Sequence, residues 1–120
     1  MQIVYAYYDS PGPRDTGTNK SLNGEWIKIK NKGSKPVSLK GWKLRDKQGF
    51  TYKFGKYTLG AGKSVKIHTG KGSDTRKDRY WDKSWYVWNN TSDKAILKNS
   101  KGTTVDTCKW TTSDPGYKAC

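Results

Sequence analysis

The sequence contains few of the side chains that usually bind metals or carry out acid–base catalysis. His68 is its one histidine, and Cys108 and Cys120 are its only cysteines. A structural zinc site needs four ligands of these types, so these three residues cannot complete one. No recognisable triad surrounds His68, and we expect neither a cofactor nor an enzymatic activity. Glu25 and Asp46 could in principle serve as glycosidase carboxylates, but no motif beside them indicates a flanked cleft.

Long hydrophobic runs are also missing. No apolar stretch approaches the roughly 20 residues that a transmembrane helix needs, so no transmembrane segment is expected. The first residues, 1–4, are strand-like and do not form an apolar leader. We expect an extracellular, secreted protein whose signal peptide is absent from this sequence.

Acidic residues are scarce relative to basic ones. The chain has 10 Asp and Glu against 24 Lys and Arg, a formal net charge of +14 that is spread along its length. Such an excess favours contact with nucleic acid, acidic polymers or anionic membrane surfaces. The alternative is that the charge serves only solubility, and in either case we favour a monomer.

Aromatic residues compensate for a low hydrophobic content. Only 32% of the 120 residues are hydrophobic, but six Trp, eight Tyr and two Phe bury a large area per residue. This length accommodates one core, so we predict a single domain over residues 1–120.

Alternating segments predict an all-β fold of about eight to ten short strands in two packed sheets. Ile27 and Ile29 alternate with Trp26, Lys28 and Lys30, which indicates a strand with one face inward. The outward face presents Trp26 between cations, so these three outward residues are a candidate ligand surface. The remaining predicted strands cover residues 2–8, 41–45, 50–54, 64–69, 86–88, 94–98 and 103–108, and residues 35–39 are predicted to form a short edge strand because of Pro36.

Strict alternation also predicts which side chains share a face in the strands at residues 2–8 and 64–69. It places Ile3, Tyr5 and Tyr7 on one face of the first strand. It places His68 beside Lys66 on an outward face, surrounded by positive charge.

Two long polar segments interrupt the strands. In residues 9–24, the oxygen donors Asp9, Asp15, Asn19 and Asn23 could gather around calcium, which takes six to eight oxygen ligands. Their spacing matches no EF-hand, and Asx turns explain the same residues.

The second polar segment, residues 70–83, is basic. Lys71, Arg76, Lys77 and Arg79 lie beside aromatic residues such as Trp81, a composition that suits contacts to a nucleic-acid backbone. The alternative is that the aromatic residues pack against the core and the cations are simply solvated.

The two cysteines are predicted to form a disulfide. A Cys108–Cys120 bond would fix the C-terminus to the last strand and would imply an oxidising compartment. The alternative is two unrelated thiols.

The order of the motifs resembles the lamin-tail domain, over roughly residues 3–110. The resemblance is carried by segments 22–31, 39–46, 52–54, 59–62, 65–67, 88–90, 93–97 and 102–106. Segments 68–75 and 106–110, with the terminal cysteine, are similar to the secreted bacterial branch.

The resemblance implies an immunoglobulin-like sandwich without intrinsic catalysis. Nuclear members are docking modules for proteins and DNA, and bacterial members occur on secreted proteins, sometimes beside nucleases. We therefore expect a non-enzymatic, secreted binding or adhesion module with cell-envelope or extracellular partners. The alternative is a domain that binds DNA or an acidic polymer through its basic surface, possibly as an accessory to a nuclease.

Overall fold

The computed structural model describes residues 1–8, 22–83, 87–88, 93–111 and 117–120. Eleven short β-strands lie in these ranges. They are β1 (Gln2–Tyr7), β2 (Trp26–Lys30), β3 (Val37–Ser38), β4 (Lys43–Arg45), β5 (Thr51–Lys53), β6 (Thr58–Leu59), β7 (Ser64–His68), β8 (Asp78–Tyr80), β9 (Asp93–Lys98), β10 (Thr104–Trp110) and β11 (Tyr117–Ala119).

The strands form three sheets. The five-stranded sheet has the order β11-β1-β2-β7-β8, the four-stranded sheet has the order β10-β9-β4-β5, and β3 pairs with β6. Every neighbouring pair is antiparallel except β7 and β8, which are parallel. Residues of all three sheets share one hydrophobic core. The predicted all-β, immunoglobulin-like sandwich is confirmed, with the small β3–β6 sheet as an addition.

The inward face of β2 and β7 forms the centre of the core. Ile27 lies opposite Ile67 and Ile29 lies opposite Val65, and all four side chains are fully buried. Trp110 of the four-stranded sheet is buried with them in the same core. Burying each of these aliphatic side chains contributes about 1.5–3 kcal/mol, so the alternation in β2 and β7 is a main source of stability.

A β-bulge corrects the face assignment in β1. The pairing register between β1 and β2 shifts between Ile3 and Tyr5, so one extra residue interrupts the alternation. Ile3, Ala6 and Tyr8 are consequently buried, while Tyr5 and Tyr7 are only partly buried. The prediction that Ile3 shares a face with both tyrosines is therefore wrong.

The strand predicted at residues 86–88 is also not found where the structure describes it. Val87 and Trp88 are buried but are not in a strand. Their backbone N–H groups donate to the Glu25 carboxylate, at 2.9 and 3.0 Å, so a side chain replaces a strand partner. Tyr86 lies outside the described residues.

The two edge strands of the five-stranded sheet, β8 and β11, were not predicted, and neither was β6 of the small sheet. β8 lies within the polar segment 70–83, where Lys66, Ile67 and His68 of β7 pair with residues 78–80. β11 pairs with β1 near the C-terminus. Neither strand has an alternating apolar pattern, because an edge strand of three residues buries little.

The predicted disulfide is present and connects the two larger sheets. Cys108 lies in β10, and Cys120 follows β11 directly. The Cys120 backbone N–H also donates to the Val4 carbonyl at 3.0 Å. The disulfide and this hydrogen bond together hold β11 at the edge of the five-stranded sheet. Among the described residues, no helix is long and apolar enough to cross a membrane.

Replacing both cysteines by serine should lower the free energy of unfolding by about 3 kcal/mol. The bond closes a short loop, with a sequence separation of 12, and cross-linking restricts the unfolded chain. Urea unfolding of the wild type and of the Cys108→Ser/Cys120→Ser variant measures the difference. Wild type kept under reductant should unfold like the variant, and equal stability of oxidised and reduced protein would contradict this account.

Candidate functional site

A basic groove lies between the turn that connects β6 to β7 and the segment that precedes β8. Its volume is about 1150 Å³. Asp78 is the single acidic residue among the described lining residues. The cationic lining residues are Lys28, Lys56, Lys63, Lys66, Arg76 and Lys77.

Regular strand pairing places the two central cations. Lys28 of β2 lies directly opposite Lys66 of β7, on the face away from the buried isoleucines. Like charges opposite one another on neighbouring strands are unfavourable unless something compensates them. Lys66 itself pairs with Asp78 of β8, but that carboxylate is 2.7 Å from His68 Nε2. The groove therefore has a local excess of positive charge.

Backbone hydrogen bonds fix the outer wall of the groove. The Lys66 N–H donates to the Lys77 carbonyl at 2.8 Å, and the Tyr57 hydroxyl donates to the Arg76 carbonyl. Arg76 and Lys77 are both exposed residues. The backbone of residues 76 and 77 is therefore fixed by hydrogen bonds, while the side chains of these two residues are exposed to solvent.

The groove brings together residues from the two surfaces that were predicted separately. Lys28 comes from the predicted strand surface, and Arg76 and Lys77 come from the predicted basic segment. Trp26 and Lys30 lie on the same strand as Lys28 and are partly buried, but they do not line the groove.

The other two predicted cations have different positions. The Arg79 guanidinium lies 4.1 Å from the Tyr57 ring centroid, and its Nη1 is 3.4 Å from Asp74 Oδ2. Lys71 is exposed outside the groove, and its carbonyl accepts a hydrogen bond from Asn23 Nδ2 at 2.9 Å. Arg79 therefore does not line the groove. It packs on the ring of Tyr57, whose hydroxyl in turn holds the Arg76 carbonyl of the groove wall.

Three groove cations were not predicted. Lys66 had been assigned to an outward face, but nothing in the sequence indicated that it would meet Arg76 and Lys77. Lys56 and Lys63 lie in turns, where periodicity carries no information about direction. Only the parallel pairing of β8 with β7 brings these segments together.

The predicted calcium ligands are described only in part. Asp9, Asp15 and Asn19 lie outside the described residues. Asn23 uses its amide nitrogen for Lys71, and its backbone carbonyl lies 2.8 Å from His68 Nδ1. Calcium binding in this segment stays a prediction.

His68 is not simply an outward residue beside Lys66, as the alternation suggested. Its ring is partly buried and stacks on Tyr80 with centroids 5.0 Å apart. Nδ1 faces the Asn23 carbonyl, and Nε2 faces the Asp78 carboxylate. The nearest charged group is thus a carboxylate, because β8 covers this end of β7. The ring therefore contacts both the segment that precedes β2, at Asn23, and β8, at Asp78.

The carboxylate of Glu25 is also structural. Its side chain is 1% exposed, and Oε1 accepts hydrogen bonds from Thr69 Oγ1 at 2.7 Å and from the N–H groups of Val87 and Trp88. Burial raises the pKa of Glu25 to about 7; the hydrogen bonds oppose this shift, and Asp93 adds to it. The carboxylate anchors the segment around Val87 to the five-stranded sheet.

Asp46 has a comparable role in a turn. Its Oδ1 accepts hydrogen bonds from the N–H groups of Gln48, Gly49 and Phe50. Burial, and then the charge of Asp93, raise the pKa of Asp46. The carboxylate satisfies turn amides, which is the usual function of an Asx turn.

The chain was also compared with models of known protein families. The model described as Lamin Tail Domain matches residues 2–112. The matched range includes β1 to β10 and every residue that lines the groove, whereas β11 and Cys120 lie beyond it.

Glu25 should make the folded state less stable as the pH rises. Its ordinary pKa is 4.5 and its folded pKa is about 7, so the folded protein binds the proton more tightly than the unfolded chain does. The stabilising effect is complete below about pH 4.5 and is lost as the pH rises to about 7, by roughly 3 kcal/mol at most.

Urea unfolding at several pH values measures this effect. Glu25→Gln keeps an acceptor oxygen for Thr69 but cannot ionise, so its unfolding free energy should vary less across the same interval. Asp46 contributes with the same sign in both proteins and cancels in the comparison. Parallel pH curves for the two proteins would show that Glu25 does not titrate in this range.

Proposed function

The chain belongs to the lamin tail domain family, and from that premise we propose that it is a non-enzymatic binding module for polyanions. The observation that carries the proposal is the groove, which six cationic residues and one acidic residue line. A cavity lined by one sign of charge concentrates ligands of the opposite sign. The net charge of +14 adds long-range attraction to the same ligands.

The positions of the reactive groups favour binding over catalysis. Glu25 and Asp46 are buried and hold backbone amides, and both ring nitrogens of His68 face oxygen atoms of the protein. A general base must reach the proton that it removes, and these groups are directed inward. We therefore assign them to stability.

The disulfide favours secretion, because such bonds persist in oxidising compartments. In that setting, the polyanions within reach are acidic polymers of the cell envelope and extracellular matrix, together with released nucleic acid. The module would then act in adhesion, or would hold a polyanionic substrate for a partner enzyme such as a nuclease.

Duplex DNA is a polyanion with a well-defined salt response. Each phosphate that a cation neutralises releases counterions, so affinity falls steeply as salt increases. The exposed pair Arg76 and Lys77 could follow a phosphate backbone along the groove wall.

Neutralising that pair should weaken binding to both heparin and duplex DNA. We expect Arg76→Gln/Lys77→Gln to elute earlier from a heparin column. In a DNA titration, the slope of log affinity against log salt should become shallower by roughly 2, which is about 0.9 for each phosphate that is no longer neutralised.

Lys43→Gln/Lys53→Gln is the matched control. These two exposed lysines lie opposite each other on β4 and β5, in the other large sheet, and their replacement removes the same charge. If the control pair weakens binding as much as the groove pair, net charge alone accounts for the affinity. Wild type that binds neither polymer at low salt would refute the proposal.

A further inference from the structure

Four aromatic rings form a continuous cluster on the outer face of the five-stranded sheet. We define the aromatic cluster as Tyr5 and Tyr7 of β1, Trp26 of β2 and Tyr117 of β11. Tyr7 is its centre, with ring centroids 5.6 Å from both Trp26 and Tyr117. Tyr5 lies 5.5 Å from Trp26 and 6.1 Å from Tyr117.

The cluster is separate from the hydrophobic core. Its strand neighbours Ala6 and Ile27 point into the core and are fully buried. Tyr5, Tyr7 and Trp26 are partly buried, and Tyr117 is 44% exposed. An apolar surface of several contiguous rings is unfavourable in water, and on a soluble domain it usually marks a binding site.

The cluster adjoins the groove through two lysines. Lys28 lies directly opposite Tyr5 on the neighbouring strand, and Lys66 Nζ lies 4.4 Å from the Trp26 ring centroid. Both lysines also line the groove. Tyr5 and Trp26 therefore adjoin these cations on one face of the sheet, whereas β1 lies between Tyr117 and Lys28.

We infer that the aromatic cluster is a platform for nucleobases and that the polyanion is a single-stranded nucleic acid. The phosphates would occupy the groove while unpaired bases contact the rings. This inference rests on the proposed function, since the groove supplies the electrostatic part of the affinity. It adds a second requirement, because the ligand must carry aromatic groups that are free to leave a duplex.

The arrangement of the rings defines the contacts they can make. Neighbouring rings are 10–32° from parallel and shield part of one another's faces. Bases would then stack on the exposed Tyr117 ring and meet the ring edges and hydroxyls of Tyr5 and Tyr7. Burial, followed by the nearby Tyr117 and Tyr7, raises the pKa of Tyr5 above its ordinary value. A tyrosine hydroxyl is protonated at neutral pH even without this shift, so it can donate a hydrogen bond to a base.

Charge decides between nucleic acid and other ligands with rings. A neutral polysaccharide could stack on the tyrosines, but it would leave Lys28 and Lys66 uncompensated. A base-free polyanion such as heparin would compensate the lysines and leave the rings unused. Duplex DNA hides its bases in the stack. Single-stranded nucleic acid satisfies both parts of the surface.

The test compares one protein against four probes. These are a single-stranded oligonucleotide, its duplex, heparin and a neutral glucan, with affinities measured at the same salt concentration. Wild type should bind the single strand more tightly than the duplex. Tyr117→Ala should lower single-strand affinity roughly 5- to 160-fold, the range for loss of one stacked base, and should leave heparin affinity unchanged.

Two further variants separate the ring from its neighbours. Tyr117→Phe keeps the ring and should retain most of the single-strand affinity. Phe50→Ala is the matched control, because Phe50 is 48% exposed and has a lysine, Lys83, 5.2 Å from its ring, but lies directly before β5, which belongs to the four-stranded sheet. It should bind all probes like wild type. If Tyr117→Ala destabilises β11, Tyr5→Leu provides a second alteration of the cluster.

The outcomes distinguish the two proposals. Wild type that binds neither heparin nor either form of the oligonucleotide refutes the groove itself. Heparin binding without a preference for single strands, or equal loss of heparin and oligonucleotide binding in Tyr117→Ala, overturns only the base platform. Binding of the glucan that depends on Tyr117 would also overturn it and would assign the cluster to sugars.

Discussion

The pairing of β2 with β7 determines both which residues form the buried core and which residues form the proposed binding face on the outer side of the sheet. Ile27, Ile29, Val65 and Ile67 face each other on the inner side and are fully buried. The same alternation necessarily directs residues 26, 28, 66 and 68 to the outer side. A shift of one residue would exchange the two faces, so the large free energy of burying four aliphatic side chains also determines which residues lie on the proposed binding face.

The second constraint is a buried carboxylate that organises a segment without regular structure. Glu25 immediately precedes β2, and Thr69 immediately follows β7, so their hydrogen bond joins the ends of the two central strands. The same carboxylate oxygen holds the amides of Val87 and Trp88. A buried polar group that loses its partners is costly, and Glu25 therefore specifies where this segment packs.

The sequence was informative where burial follows a period and uninformative where it does not. β2, β7 and β9 were predicted because buried and partly exposed positions alternate in them. The bulge between Ile3 and Tyr5 was missed because an extra residue leaves no mark on composition. The strand predicted at Val87 and Trp88 failed because the apolar pattern reports burial, and a side-chain carboxylate took the place of a strand partner.

The candidate site was predictable in its residue types but not in its assembly. Lys28, Arg76 and Lys77 were each identified from the sequence, in two unrelated segments. These residues come close together only because β8, a strand of three residues, pairs with β7. That pairing is parallel, and parallel neighbours require a long connection. Nothing in residues 70–83 encodes that pairing by hydrophobic pattern.

The C-terminal strand adds one ring of the aromatic cluster from outside the matched family range. The matched family range ends at residue 112 and contains the whole groove, whereas Tyr117 lies beyond it. Among the described strands, β11 pairs with β1 alone, and it is further secured by the Cys108–Cys120 bond. The outermost ring of the aromatic cluster is therefore held by a covalent link to the opposite sheet. The chain places this ring without extending the hydrophobic core, because the disulfide replaces the burial that a three-residue edge strand cannot provide.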